Sequence, residues 1–388
     1  MGEGLALSRE AQGNAIWTIM AEPGDELAGL VRLTLGARTS VDFLIAGQNA
    51  EFLTKRVLQT EYSDLAKERF GDLQHALQNA LQRWMPRLSE SNFQSVVKVA
   101  GTMGIRFVTA DSPAWPTKLS DLGLAMPAGL WVRGDLAAIE PAVSIVGSRI
   151  ASSYGLWVCS DFVSELNDLG YRVVSGGAFG IDAAAHRNAN NLGAANFAVM
   201  AGGVDNYYPN ANSELLREVS RLGAVMSELP PGARPTRWRF LQRNRLIAAL
   251  GQATLVIEAG HRSGAINTVN HAIALGRLVG AVPGPINAST SDGCNRLIRD
   301  GYAQLTGSLS DLRELLGVRA VQQEFDFALA PLELRAADAL TARHQTLTAL
   351  GAKSGLTPHE LAIALGSLEL QGLAQRNDRE MWRKSLNL

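Results

Sequence analysis

The stretch RVVSGGAFGIDAAAH, Arg172 to His186, passes from a β-branched run through three glycines into an alanine-rich segment. A strand that breaks into glycines and restarts as a helix is the build of a phosphate-binding loop. The first N–H groups of such a helix are unpaired and, with the positive end of its dipole, point into the loop. Gly176, Gly177 and Gly180 let backbone approach a ligand closely. VSIVGSRIASSYG repeats the design, with Gly147 at the strand end and Ser148 and Arg149 behind it. Arg149 there can place a planar fork on a phosphate that a glycine loop cradles. A single such loop is explained by a tight strand-to-helix turn alone. Several on one sheet edge, with an arginine beside the first, favour binding.

The same texture extends outward. From Leu130 the runs LWVRG, VSIVG, RVVSGG, NFAVMAGG, AVMSE, ATLVIEAG and LVGAVPG are short and β-branched, nearly all ending in glycine. Helical patterns such as YGLWVCSDFVSELNDLG and SGAINTVNHAIALG lie between them. This alternation predicts an α/β fold, a mostly parallel sheet buried on both faces, with ligands at the carboxyl ends of its strands. Residues 5 to about 90 have helical apolar spacing and predict a small N-terminal helical domain (1–92) ahead of the core (95–312). After Asp311 the pattern stops. Residues 313–340 read as a linker and 341–388 as a second small helical unit, in which Thr357 caps a helix opened by Pro358. NDREMWR after it suits a short strand pair, which would make a winged helix; a plain helical hairpin fits the periodicity nearly as well.

Composition sets bounds. The 388 residues are 46% hydrophobic and 19% charged, ordinary for a globular protein. No apolar run approaches the roughly 18 residues of a membrane span, and the start lacks a signal-peptide pattern, so a cytoplasmic protein with no membrane partner is expected. Cys159 and Cys294 are far apart and suggest neither a disulfide framework nor a zinc cluster. The net charge of −1 does not itself favour nucleic acid, but of 36 basic residues six are lysine and 30 arginine. No lysine lies between Lys118 and Lys353, so a phosphate held by the middle of the chain is held by arginine, backbone N–H or hydroxyl groups.

Familiar nucleotide motifs are missing. No glycine precedes a lysine, which removes the P-loop. The nearest approach to G-x-G-x-x-G is Ser175 to Gly180, with serine in the first position and no acidic residue about 20 positions on for a ribose. No nicotinamide or other cofactor is expected. Between Glu228 and Glu258, by contrast, GARPTRWRFLQRNRLIAALG carries Arg234, Arg237, Arg239, Arg243 and Arg245, with Trp238 and Phe240 interleaved. Guanidinium groups neutralise successive phosphates and rings give bases a face to stack on. The competing reading is an amphipathic helix with solvated arginines, and Trp238 by itself reads as core.

Catalytic constellations are scarce. Asp182 and His186 share a helix face, which a helix-start carboxylate and a partly buried histidine explain better than an acid–base pair. Glu258 ends a buried strand near His261, yet no serine elbow, paired carboxylates or metal-ligand spacing accompany it. Neither an enzyme nor a metal site is indicated.

VSIVGSR, YG at 154–155, SGGAFGIDAAAH, YPNAN at 208–212, SELPPG, FLQRNRLIAAL, EAGHRSGAINT and VPGPIN with SDGCNRLIRDG occur in the order found in the DNA-processing protein A family. The chain resembles that family continuously from about Ile105 to Ser310, with looser likeness to a sterile-alpha-motif-like domain before and a winged-helix-like domain after. The resemblance implies an extended Rossmann-like core that binds single-stranded DNA, forms a homodimer and hands the strand to the RecA recombinase, in recombination and uptake of transforming DNA. No catalysis is implied. Arg149 falls on the family's DNA-binding arginine, Gly147, Ser148, Gly177 and Gly180 on its phosphate loops, and Arg243-Asn244-Arg245 on its RNR motif. With them, Gly176, Phe179, Asn210, Ser263 and Gly264 complete the expected DNA-binding set. Asn210 stands where members can carry a lysine, and Phe179 where many carry a basic residue. The runner-up is an enzyme resembling the nucleotide phosphoribohydrolases, whose PGGxGTxxE stretch has a glutamate that GGAFGIDAAAH lacks.

Overall fold

The computed structural model describes residues 6–318 and 329–385. It divides into two compact units, Met1–Val318 and Arg319–Leu388.

The first unit opens with seven helices: α1 (Arg9–Met20), α2 (Glu26–Leu35), α3 (Ala37–Ile45), α4 (Ala50–Leu58), α5 (Ser63–Phe70), α6 (Leu73–Trp84) and α7 (Glu90–Thr102). Short polar residues start five of them: the side chains of Ser8, Asp25, Asn49, Asp72 and Ser89 each accept an otherwise orphaned backbone N–H. The strands then follow in alternation with helices: β1 (Arg106–Val108), β2 (Leu130–Gly134), β3 (Ala142–Val146), α8 (Ser153–Asp168), β4 (Arg172–Ser175), α9 (Ile181–Asn191), β5 (Asn196–Val199), α10 (Ser213–Leu222), β6 (Ala224–Ser227), α11 (Arg237–Leu250), β7 (Ala253–Val256), α12 (Ala265–Ala274), β8 (Leu278–Ala281), α13 (Asp292–Arg299), β9 (Gln304–Leu305) and α14 (Leu309–Leu315).

These strands form one nine-stranded sheet in the order β1-β2-β6-β5-β4-β3-β7-β8-β9. From β6 to β9 all neighbours are parallel, and β2 and β1 add an antiparallel edge. The expected Rossmann-like α/β core is therefore present. The chain moves outward from β3 through β4 and β5 to β6, then crosses back to place β7 on the other side of β3. The β3/β7 boundary is thus the point where winding reverses and a crevice opens at the strand ends.

Both faces are buried, with strand residues alternating between them. Val143, Ile145, Val173 and Leu255 pack under α8, α9 and α14; Val146, Val174, Phe197 and Val256 pack under α11, α12 and α13. Toward β2 the first face is covered differently. Trp131, Ala198, Met200 and Val225 join Trp17, Leu30, Val31 and Trp84 of the N-terminal helices in one apolar core. Trp131 Nε1 donates to Thr18 Oγ1 at 3.1 Å within it. The boundary expected between residues 92 and 95 therefore does not separate compact units, because the sheet needs the helices to cover its apolar face.

In the second unit, α15 (Pro331–Ala339), α16 (Leu347–Ser354) and α17 (Pro358–Leu370) precede the hairpin β10 (Ala374–Arg376) and β11 (Trp382–Lys384). Thr357 caps the helix opened by Pro358, as expected, and Glu360 completes a capping box with it. Leu350, Leu361, Leu365, Leu368 and Trp382 make a small core, and Gln345 bridges Trp382 as a second short pairing. This is the winged-helix-like alternative. The strand pair flanks NDREM rather than lying within it. The segment read as a linker is partly helical, since α14 reaches Leu315 and α15 begins at Pro331; of that segment, residues 319–328 lie outside the described ones.

Candidate functional site

The loops that end β3, β4 and β7 meet at the winding reversal and enclose a cleft of about 650 Å³ with Phe240, Leu241, Arg243 and Asn244 of α11. Gly147 lets α9 approach β3: a Cβ there would lie 2.6 Å from Ile181 Cγ1 and 3.0 Å from the Glu258 carbonyl. Ser148 Oγ accepts from Ile150 N and donates to its carbonyl, a local turn that displays the residue between them. That residue is Arg149. It is exposed, it takes part in none of the ion pairs among the described residues, and its guanidinium carbon lies 5.4 Å from the Phe240 ring centroid. Stacking on a ring orients a guanidinium while leaving its N–H edge available.

The second glycine loop works differently from the sequence reading. Gly176 and Gly177 are buried. The N–H groups of Gly176 and Ala178 donate to Asp182 at 3.2 and 3.4 Å, and Ile181 N donates to the Ser148 carbonyl at 3.1 Å. Three donors of the loop, the N–H groups of Gly176, Ala178 and Ile181, are thus engaged by protein, and Gly176 and Gly177 are closely packed. A Cβ on Gly176 would meet Arg243 Nη1 at 2.2 Å, and one on Gly180, with φ of 72°, would meet the Ser148 carbonyl at 2.1 Å. The loop is the platform on which the Gly147–Arg149 turn sits. Asn212, which the sequence reading did not single out, holds it by donating to the carbonyls of Gly177 and Ala178 at 3.0 and 3.2 Å. The YPNAN motif was its signal.

The arginines of α11 divide. Arg243 is 6% exposed; it donates from Nη1 to the carbonyls of Gly176 (2.8 Å) and Val199 (2.5 Å) and from Nε to Asn244 Oδ1 (3.1 Å). Burial pulls its guanidinium down to about 10, against the attraction of Asp182. Burial in turn raises the Asp182 carboxyl, which Arg243 opposes. Arg243 is therefore a brace below the cleft as well as part of its lining. Asn244 reaches Asn267 Oδ1 at 3.1 Å and the Gly264 carbonyl at 3.4 Å, tying α11 to the loop after β7. Arg245 does not join them. It is 3% exposed on the opposite side of α11, in a two-oxygen contact with Glu228 at 2.8 and 2.6 Å. Two residues along a helix is about 200° of rotation, so Arg243 and Arg245 cannot face one site. Arg239 is likewise paired, with Glu22. Trp238 corrects the core reading: it is 56% exposed.

Of the expected set, Gly147, Ser148, Arg149, Arg243, Asn244, Ser263 and Gly264 line the cleft. Phe179 is exposed beside cleft-lining Ala178, and Asn210 is exposed ahead of α10; neither lines it. The lining also includes His261, Arg262 and Asp292, residues of motifs read in the sequence but not chosen individually. Three guanidinium groups thus face two carboxylates, an excess suited to an anion.

The acid–base candidates are structural. Glu258 accepts Ser152 N at 2.9 Å and Ser152 Oγ at 2.6 Å, securing the start of α8. His186 is fully buried with Nδ1 2.7 Å from Asn196 Oδ1, and burial lowers it to about 4. Among the described residues no group of three His, Cys, Asp or Glu is arranged to hold a metal ion, and no helix is long and apolar enough to cross a membrane.

Residues 106–317 match the family model of DNA recombination-mediator protein A. A putative DNA processing protein DprA of Mycobacterium tuberculosis is 41% identical over 72% of this chain and 77% of its own length. The DNA processing protein DprA of Bacillus subtilis is 31% identical over 70% and 87%. Among solved structures, DNA processing protein A from Streptococcus pneumoniae superposes with a TM-score of 0.61 at 25% identity, covering 80% of this chain and 98% of that one. Its counterpart from Helicobacter pylori, described for its single-stranded DNA binding mode, gives 0.50 at 27% identity over 54% and 95%.

Proposed function

The chain belongs to the DNA recombination-mediator protein A family, and from that premise we propose that it binds single-stranded DNA in the β3/β7 cleft, without reacting on it, and passes the strand to the RecA recombinase. The setting is recombination and uptake of transforming DNA in the cytoplasm, and the active form is a homodimer. The observation that carries this reading is Arg149, an exposed guanidinium over the Phe240 ring above a cleft where Asp182 is engaged by backbone N–H groups and nearby Glu258 by Ser152. A stacked arginine beside an aromatic ring suits a flexible phosphate chain with splayed bases. Gly147, Ser148, Asn244, Ser263 and Gly264 bring backbone and amide groups to the same strand, with Phe179 and Asn210 at the approach. Arg243 supports the cleft from below, and Arg245 acts on stability alone.

The test is a titration of the full chain with single strands, duplexes and free nucleotides, followed by product analysis. Tight, salt-sensitive binding of single strands without new products is expected. Release of base or phosphate that disappears in Glu258→Gln would replace this reading with the phosphoribohydrolase-like one. RecA delivery is read separately, as faster RecA filament growth on strands coated with a single-strand-binding protein.

A further inference from the structure

A second groove, of about 430 Å³, lies where the N-terminal helices meet the segment between β6 and α11. Its lining includes Arg87, Asn92, Pro230, Pro231, Arg234 and Arg239. The carboxylate that meets these arginines is Glu22, of the turn after α1, and two guanidinium groups share it. Arg239 donates to both its oxygens at 2.9 and 2.8 Å, and Arg87 lies 2.8 Å from one. These contacts, Arg239 foremost, hold the Glu22 carboxyl below its ordinary range, so it stays charged and still leaves one guanidinium uncompensated. Arg234 adds another. It is exposed, and its side chain makes no hydrogen bond or ion pair among the described residues; its carbonyl accepts from Arg239 Nη1.

The wall that carries Arg234 is fixed. Gly203 N donates to the Ala233 carbonyl, Gly232 N to Asp205 Oδ1 and Ala233 N to the Pro230 carbonyl, all within 3.1 Å. Gly202 is packed so closely that a Cβ would meet the Ala233 carbonyl at 2.9 Å. A rigid cationic wall loses little entropy on meeting an anion. The groove also lies beside the cleft. Arg239, which lines the groove, and Phe240, which lines the cleft, are consecutive on α11, and Arg237 and Trp238 stand exposed on the first turn just ahead of them.

We infer that this groove is a second nucleic-acid contact, in which Arg234 and Arg87 hold the phosphate backbone of a strand that leaves the cleft across the first turn of α11. The inference rests on the reading of the cleft as a single-strand site and adds a direction and a length to it. It also gives the N-terminal helical region a role in binding, because Arg87 lies between α6 and α7.

The experiment measures the affinity of the full chain for single strands from about 4 to about 30 nucleotides, the range spanned by one or several binding modules. Arg234→Ala is the principal variant, since that side chain holds nothing else in place. Arg87→Ala/Arg234→Ala is the second, with a thermal melt to check the loss of the Glu22 contact. For the longest strands the double variant is expected to bind roughly tenfold more weakly, with the slope of log affinity against log salt flatter by about 1.4, or about 0.7 for each phosphate contact. The shortest strands should bind as they do to the unaltered chain. Equal affinities at every length in folded variants would overturn the inference, leaving the groove to an acidic protein partner. Equal weakening at every length would overturn it too, by placing Arg234 in the cleft. Failure of the unaltered chain to bind any strand would instead defeat the reading of the cleft.

Discussion

Arg149 and Arg245 are the same chemical group in two regions with opposite uses. At the cleft rim Arg149 stands in solvent, stacked on one face by Phe240. Inside, Arg245 is held by Glu228, while its Nε and Nη1 are buried without a hydrogen-bond partner among the described residues. A guanidinium in solvent keeps its donors for a ligand. One in the interior has already exchanged water for protein, and an approaching phosphate gains nothing from it. The count of basic residues in α11 therefore overstates its capacity to bind DNA, and the accessible ones decide.

That contrast breaks first at Arg245. Arg245→Ala takes from Glu228 its two-oxygen partner and leaves Arg32 as the nearby cation, which should cost about 3 kcal/mol of stability in urea unfolding. Arg245→Met/Glu228→Met should recover part of it, because Arg245 has unmet donors that an apolar side chain lacks, while Arg32 loses the attraction of Glu228. A single variant as stable as the unaltered chain would put Arg245 back among the ligand groups.

A second large effect lies under the same platform. In the unfolded chain an imidazole gains its proton below about 6.5, but His186 in the fold does so only below about 4. The unfolded state binds more protons between those values, so the His186 contribution to stability should fall as pH drops from about 6.5 to about 4 and level off below. At about 1.4 kcal/mol per unit the loss approaches ~3 kcal/mol. Urea melts of His186→Gln should lack this slope, whatever their stability at pH 7.

Arg149→Ala should do the reverse of Arg245→Ala. Single-strand affinity falls and its salt slope flattens by about 0.7, while the melting temperature is kept, because this side chain covers no core and pairs with no carboxylate. Unchanged affinity in a folded variant would exclude the cleft as proposed. The smallest effect belongs to Arg221, exposed on α10 and paired three residues back with Glu218. Arg221→Ala should alter neither melting temperature nor affinity, which separates position from net charge.

The glycines show where sequence reading was sound and where it fell short. It read Gly180 as an approach of backbone to a ligand, whereas a Cβ there would meet the Ser148 carbonyl, and one on Gly147, read at the strand end, would meet the Ile181 side chain. It assigned Gly176 and Gly177 to a phosphate because a strand–glycine–helix pattern looks the same whether its N–H groups face solvent or an internal carboxylate. Asp182, six residues on from Gly176, accepts the N–H groups of Gly176 and Ala178, and only the tertiary structure separates the cases.

What this sequence determined by itself is local. Short continuous β-branched runs made strands, 3.6-residue spacing made helices, and Ser152, Thr236, Ser308 and Thr357 placed helix starts, since each rests on neighbours within a few positions. The alternation then left few topologies for the sheet. The tertiary structure alone decided which charges remain free. Arg239 is paired with a carboxylate 217 positions away, Glu258 caps a helix 106 positions away, and Arg243 braces a carbonyl 44 positions away. Burial and pairing depend on which residues the fold brings together across such distances, and no short-range pattern encodes them.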